Sequence, residues 1–298
     1  MMKPTTNPTA PDHDGDVRAG RAVQYDKLYA ARARTDLVAR LYAEAMGEDH
    51  PAEIAASSSC DWPLLGLATA RLRLAPGQLL VDAGCGTGGV GLWLARATGA
   101  RLQGFDLSPI AVAQAAARCP HFLPAGPERA VFRVAELEDT GLPTGCAHGV
   151  VCVDALGHAG DRGAALRELA RLLAPGGRLV VTRALRRGAQ PGWHEQVDAA
   201  GLHEEHVDER PGEPAMWERL YGLWIDHADQ LRTELGPGPA ERMLHEAHQV
   251  LPTLRGRRAV LLTLRRPPTG PAGPGRAVTM AAPKEPDARP AAPERILP

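Results

Sequence analysis

Four short segments carry side chains whose types and spacing suit the binding of a charged nucleoside. The first is Val81-Asp82-Ala83-Gly84-Cys85-Gly86-Thr87-Gly88-Gly89, where an apolar run ends in an acid and a glycine-rich turn. Without Cβ, glycine lets the backbone turn sharply and approach a ligand, and the helix expected from about Val90 offers free N–H groups to an anion. The second, Gly104-Phe105-Asp106-Leu107-Ser108, sets Asp106 twenty-two residues after Gly84, where a carboxylate can accept both hydroxyls of a ribose. The third, Val134-Ala135-Glu136-Leu137, offers Glu136 to an adenine amino group. The fourth is Val153-Asp154-Ala155-Leu156-Gly157-His158. Its Asp154 suits either contact with the ligand and its water or the capping of the next turn.

Two nucleosides compete for such a set. A nicotinamide dinucleotide would bring a pyrophosphate against Asp82, which repels it. S-adenosylmethionine brings an ammonium, a sulfonium and a carboxylate, and can use that acid. Asp82 therefore favours the methyl donor.

His158 is the preferred general base, because it follows the fourth strand at the expected catalytic edge and imidazole titrates near neutral pH; a structural or orienting role is the alternative. His194, beside Trp193 on the helix expected after the fifth strand, is a second candidate base or else a surface residue. Trp217, Tyr221 and Trp224 fall at i, i+4 and i+7, one face of a helix. They read as packing for that helix, as an aromatic wall for substrate with Trp193, or as both. No metal site is expected. His203 and His206 alternate along a strand, His245 and His248 lack a third ligand, and Asp139, Asp161 and Asp229 have no ligand spacing.

These residues need a scaffold that gathers strand ends on one edge. Strand-like runs occur at 79–82, 101–106, 130–134, 149–154, 178–182, 202–208 and 259–264, mostly separated by helical segments. That rhythm predicts an α/β, Rossmann-like doubly wound sheet, which binds ligands at the carboxyl ends of its strands. Helices are expected over 25–46, at 61–73 behind an Asp61 cap, at 90–98 and at 166–173, where Ala174-Pro175-Gly176-Gly177 should break the chain. The long interval before the last strand, with helical stretches at about 215–235 and 239–250, predicts a lid.

The chain has 298 residues, 44% of them hydrophobic, and a formal net charge of −1. Segments 1–22 and 267–298 lack apolar periodicity and are expected to be disordered tails, leaving a domain at 23–266 with an N-terminal helical cap (23–75) and a lid insertion (211–255). The balanced charge gives no pull toward nucleic acid. Lys occurs only at Lys3, Lys27 and Lys284, so the abundance of Arg reads as coding bias. Five cysteines without a CxxC pair suggest reduced thiols, and the absence of a signal core or an apolar span predicts a cytoplasmic protein without membrane partners. A homodimer is compatible with the sequence.

Together, Asp82-Ala83-Gly84-Cys85-Gly86-Thr87-Gly88, Asp106, Glu136 and Leu172-Leu173-Ala174-Pro175-Gly176-Gly177-Arg178-Leu179 resemble the class I S-adenosylmethionine-dependent methyltransferases over residues 25–265. The resemblance implies seven strands with the last antiparallel, and methyl transfer by direct displacement. Tyr25-Asp26-Lys27-Leu28-Tyr29 and the segment 155–162 look like the natural-product branch, in which an N-terminal helix closes over the donor; Tyr25 or Tyr29 would then be its contact. The cofactor set implied is Tyr25, Tyr29, Asp82 to Cys85, Gly86, Gly88, Asp106, Leu107, Ala135 to Leu137, Asp154 and Ala155. The partner implied is a small-molecule acceptor, with oxygen favoured over nitrogen or carbon. Where the branch sometimes places an acid to assist the base, this chain has Thr182-Arg183. A donor-binding cyclase or regulatory protein on the same fold is the competing reading.

Overall fold

The computed structural model describes residues 13–268 except 187, 190 and 191. Three helices come first: α1 (His13–Arg32), α2 (Leu37–Met46) and α3 (Trp62–Leu72). Helix α1 begins inside the first segment expected as a tail, and residues 267 and 268 of the second are described; residues 1–12 and 269–298 lie outside the described residues. As expected, Asp61 caps α3, its carboxylate accepting the Leu64 N–H at 2.7 Å.

Strands and helices then alternate: β1 (Leu79–Ala83), α4 (Gly89–Thr98), β2 (Arg101–Asp106), α5 (Pro109–Phe122), β3 (Ala130–Val134), β4 (Ala147–Cys152), α6 (Arg162–Leu172), β5 (Leu173–Leu185), α7 (Trp193–Ala199) and β6 (His203–Glu209). Three lid helices, α8 (Glu213–Asp226), α9 (Ala228–Leu235) and α10 (Pro237–Val250), lead into β7 (Arg258–Arg265). The sheet order is β3-β2-β1-β4-β5-β7-β6, parallel except for β7, which runs antiparallel to both neighbours. The order reverses beside β1, where a doubly wound sheet opens its ligand crevice.

The period of two along a strand decides which layer each residue feeds. Leu80, Val151, Val180 and Leu261 pack with α3, α4 and α5 on one face. Their neighbours Val81, Val150, Cys152, Leu179, Val181, Val260 and Leu262 pack with α6 and α7 on the other. A third apolar cluster joins Leu28, Leu41 and Tyr42 of α1 and α2 to Leu220, Trp224 and Leu244 of the lid. The N-terminal helices and the lid, expected as separate elements, thus share one core above the strand ends.

Three boundaries differ from expectation. Strand β4 stops at Cys152, two residues early, because Asp154 takes a left-handed φ of 53° that no strand continues. Ala174-Pro175-Gly176-Gly177 does not break the chain completely: β5 starts at Leu173 opposite Ala147, and a register shift in β4 absorbs the turn. The lid helix expected over 215–235 divides at His227. Among the described residues no helix is long and apolar enough to cross a membrane.

Candidate active site

The loop after β1 is held by the next strand. The N–H groups of Gly84 and Cys85 both donate to the Phe105 carbonyl at 2.9 Å. Gly84 and Gly86 have φ of 71° and 52°, a region that costs other residues about 1–2 kcal/mol. A Cβ on Gly84 would stand 2.3 Å from that of Ala155, and one on Gly86 would stand 3.0 Å from the Tyr29 hydroxyl. The loop is therefore closed down onto the turn after β4 and onto α1.

Acids mark the strand ends. Asp82 is buried, and its Oδ2 accepts the Gly91 N–H at 3.0 Å. Burial pushes its pKa up to about 7 against the lowering effect of that N–H, with Asp106 adding to the rise. Asp106 accepts from Gly86 N–H through Oδ2 and from Ser108 N–H through Oδ1, both at 2.9 Å. Burial raises its pKa too, while the Ser108, Gly86 and Leu107 N–H groups oppose the rise. Two acceptor oxygens carry about four lone-pair sites, so the carboxylate retains capacity for ligand hydroxyls. Asp154 accepts the Ser59 N–H at 2.6 Å and the Thr182 hydroxyl at 2.9 Å, while its own N–H donates to that hydroxyl at 2.7 Å. Thr182, standing where a catalytic acid was sought, anchors Asp154 instead.

Above these ends lies a cavity of about 650 Å³. One half is walled by Asp82, Gly84, Cys85, Gly86, Asp106, Leu107, Ala135, Glu136 and Leu137, with Tyr25 and Tyr29 of α1 over them; Asp154, Ala155 and His158 continue the wall. Its other half is roofed by Trp217, Tyr221 and Trp224 of α8 and Tyr42 of α2. Trp217 stacks on Tyr221 at 5.4 Å, and Tyr42 meets Trp217 and Trp224 edge-on at 6.4 and 6.3 Å. All four tyrosines of the chain line this one space. His158 stands exposed on a short 3-10 helix, its ring edge-on to Tyr25 at 6.3 Å and its carbonyl accepting from Arg21 at 2.9 Å.

Four expected residues fall elsewhere. Trp193 is buried between α7 and β6, its indole donating to Glu204 at 2.8 Å, so it packs the sheet instead of touching substrate. His194 follows it outward, with 56% of its side chain exposed, 3.6 Å from Glu204 and off the cavity wall; it is no candidate base. Ala83 points into the core beneath the sheet. Gly88 begins α4 and packs against α5, where a Cβ would stand 2.8 Å from that of Ala115.

The sequence reading missed a buried cluster under the lid. Arg210 donates to Glu213 at 2.7 Å, to the Ser59 hydroxyl at 2.9 Å, to the Ser59 carbonyl at 2.5 Å and to Asp61 at 3.1 Å. Glu213 also accepts from the Trp217 indole at 3.3 Å and lines the cavity. Burial, then the charge of Asp154, lift its pKa to about 7 despite Arg210. The only sequence signal was an i, i+3 charge pair across Pro211-Gly212.

Residues 80–177 match a family model described as a methyltransferase domain. The methyltransferase GfsG of Streptomyces halstedii is 32% identical over 120 residues, 40% of this chain and 42% of that protein. The ubiquinone biosynthesis O-methyltransferase of Xanthomonas oryzae pv. oryzae is 36% identical over 173 residues, 54% of this chain and 69% of that enzyme. The chain thus spans less than half of the first relative and about two thirds of the second. The crystal structure of the [4+2]-cyclase SpnF superposes with a TM-score of 0.62 at 22% identity, covering 78% of this chain and 93% of that one; the likeness is one of fold. The chain belongs to the class I S-adenosylmethionine-dependent methyltransferases.

Proposed function

We propose that this protein transfers the methyl group of S-adenosylmethionine to a hydroxyl of a small natural-product acceptor. The observation that carries the reading is the cavity itself: four strand ends with acids suited to ammonium, ribose and adenine open into a second, aromatic-walled chamber. When bound, the donor supplies an electrophilic methyl on positively charged sulfur. Asp82 suits its ammonium, Asp106 the ribose hydroxyls and Glu136 the adenine amino group, and Tyr25 and Tyr29 cover it from α1. The aromatic roof holds a flat acceptor in line, and such alignment is worth roughly 7–11 kcal/mol in favourable models. The free thiols, four of the five buried, support a reducing, cytoplasmic setting.

His158 is assigned as the base that takes the acceptor's hydroxyl proton on a ring nitrogen. Its replacement by alanine is expected to lower turnover about 10²–10⁴-fold while leaving affinity for S-adenosylhomocysteine unchanged; steady-state rates and calorimetry read the two separately. Undiminished turnover at saturating acceptor would return His158 to a structural role.

A second reading, acceptor rearrangement without transfer, draws on the likeness to SpnF. Mass spectrometry of phenolic and polyketide acceptors incubated with S-adenosylmethionine separates the two. A net gain of one CH2, methyl for the departing hydroxyl proton, supports transfer, whereas an isomerised acceptor of unchanged mass supports the cyclase reading. If NAD(H) binds and S-adenosylhomocysteine does not, both fail.

A further inference from the structure

The sheet order divides the cavity. The ends of β3, β2 and β1 carry Glu136, Asp106 and Asp82, the donor side. Beyond them Arg183 of β5, Arg162 at the start of α6 and Arg257 just before β7 stand on the wall of the other chamber, beneath the aromatic roof. The sequence reading had dismissed such arginines as coding bias.

The carboxylates of this chamber already have partners. Asp154 serves Ser59 and Thr182, Glu213 serves Arg210 and Trp217, and Glu246 accepts the Tyr221 hydroxyl at 3.0 Å. The arginines do not have carboxylate partners. Arg183 reaches Gln196 at 3.3 Å, and Arg162 reaches the Gly157 carbonyl at 3.1 Å. The Arg257 side chain makes no hydrogen bond or ion pair among the described residues. Arginines away from the cavity behave differently: Arg71 pairs with Asp208 at 2.5 Å, and Arg178 with Glu205 at 2.7 Å. Half-buried Arg183 gives up hydration without gaining a counter-charge, while half-buried Arg257 feels the charge of Glu213, a carboxylate already hydrogen-bonded to Arg210. Arg183 is depressed by burial and then by the like charge of Arg162, as expected of cations gathered around a place for an anion.

We infer that the acceptor is an anion, a carboxylate or phosphate ester on a flat apolar body. Its charge docks between Arg183, Arg162 and Arg257, and its body lies under Trp217 and Tyr221. The inference rests on the donor occupying the opposite half, as proposed above. Guanidinium forks match carboxylate and phosphate oxygens in pairs, and the stacked rings of Trp217 and Tyr221 suit a flat aromatic body.

Calorimetry with three probes tests it: 1-naphthoate, 1-naphthyl phosphate and the neutral 1-naphthylmethanol, each titrated into the protein with and without saturating S-adenosylhomocysteine. At least one anion is expected to bind about tenfold or more tightly than the neutral probe. Which of the two wins distinguishes carboxylate from phosphate. Arg183→Gln and, independently, Arg257→Gln should each shrink that preference severalfold and leave affinity for S-adenosylhomocysteine intact. Equal binding of all three probes overturns the inference. So does a preference that survives both substitutions, or a loss in either variant that falls on S-adenosylhomocysteine, which would assign the guanidiniums to the donor carboxylate. Failure of S-adenosylhomocysteine to bind the unmodified protein counts separately, against the donor reading; the probe preference is still measured on the free protein.

Discussion

Replacing Arg210 with methionine is expected to destabilise the fold by about 3–5 kcal/mol, the usual loss when one partner of a buried ion pair is removed. Both side chains of the Arg210–Glu213 pair are only 5% exposed. Four acceptors depend on this guanidinium: Glu213, Asp61 and both oxygens of Ser59. Ser59 in turn donates its N–H to Asp154, so the substitution reaches the catalytic edge through one intermediate residue. The cluster also ties the first turn of the lid to the segment before α3.

The loss should depend on pH in a fixed direction. Glu213 has a pKa near 7 in the folded protein against an ordinary 4.5, raised by burial and by Asp154 and lowered by Arg210. A raised pKa contributes stability that is fully present below the unfolded value and is lost as pH rises through the folded one. Without Arg210 the folded pKa moves higher still. At pH 6 the carboxyl of the variant is already neutral, whereas at pH 8 it must either ionise without a partner or hold its proton against the solvent. Urea denaturation should therefore show a larger deficit at pH 8 than at pH 6. Asp82 titrates in the same window, but it is common to both proteins and cancels in the difference. The double variant Arg210→Met with Glu213→Leu should recover much of the loss, since no charge is then stranded. Equal deficits at the two pH values would mean that Glu213 is not the group left unpaired.

What could be read from the sequence was what depends on near neighbours. Asp82, Gly84 and Gly86 lie within one strand-turn-helix, so their types alone constrained their geometry. Asp106, Glu136 and Asp154 followed because each closes an apolar run at the same edge of a parallel sheet. The lid aromatics were legible from helical spacing, although spacing could not say that Tyr42 of α2 completes their wall. Trp193 and His194 misled because their helix orientation is set by packing on the sheet, which turns the indole inward and the imidazole out. The Arg210–Ser59 contact spans 151 positions and joins two segments of unremarkable composition, so no local pattern announces it. Arg183 was read as a missing acid; its significance emerges only beside Arg162 of α6 and Arg257 of the turn before β7, which belong to other elements of the fold.

The Asp106→Ala variant should lose donor affinity by about 100-fold or more, because a charged acceptor contributes roughly 1.5–3 kcal/mol to each hydrogen bond and a ribose offers two. The structure adds a second reason for loss. Asp106 also holds the N–H of Gly86 and that of Ser108, so alanine would release the glycine loop as well as the ribose. Lower affinity alone therefore does not identify the ribose as the ligand of this carboxylate. Calorimetry with S-adenosylhomocysteine and its 2′-deoxy analogue separates the two effects. If Asp106 grips the ribose, the unmodified protein prefers the full ligand and the alanine variant does not, since the partner of the 2′-hydroxyl is gone from both sides of the comparison. If Asp106 only shapes the loop, both ligands weaken together and whatever preference the unmodified protein has is kept. That second outcome would withdraw Asp106 from the ribose and leave it as the brace of the Gly84–Gly86 turn.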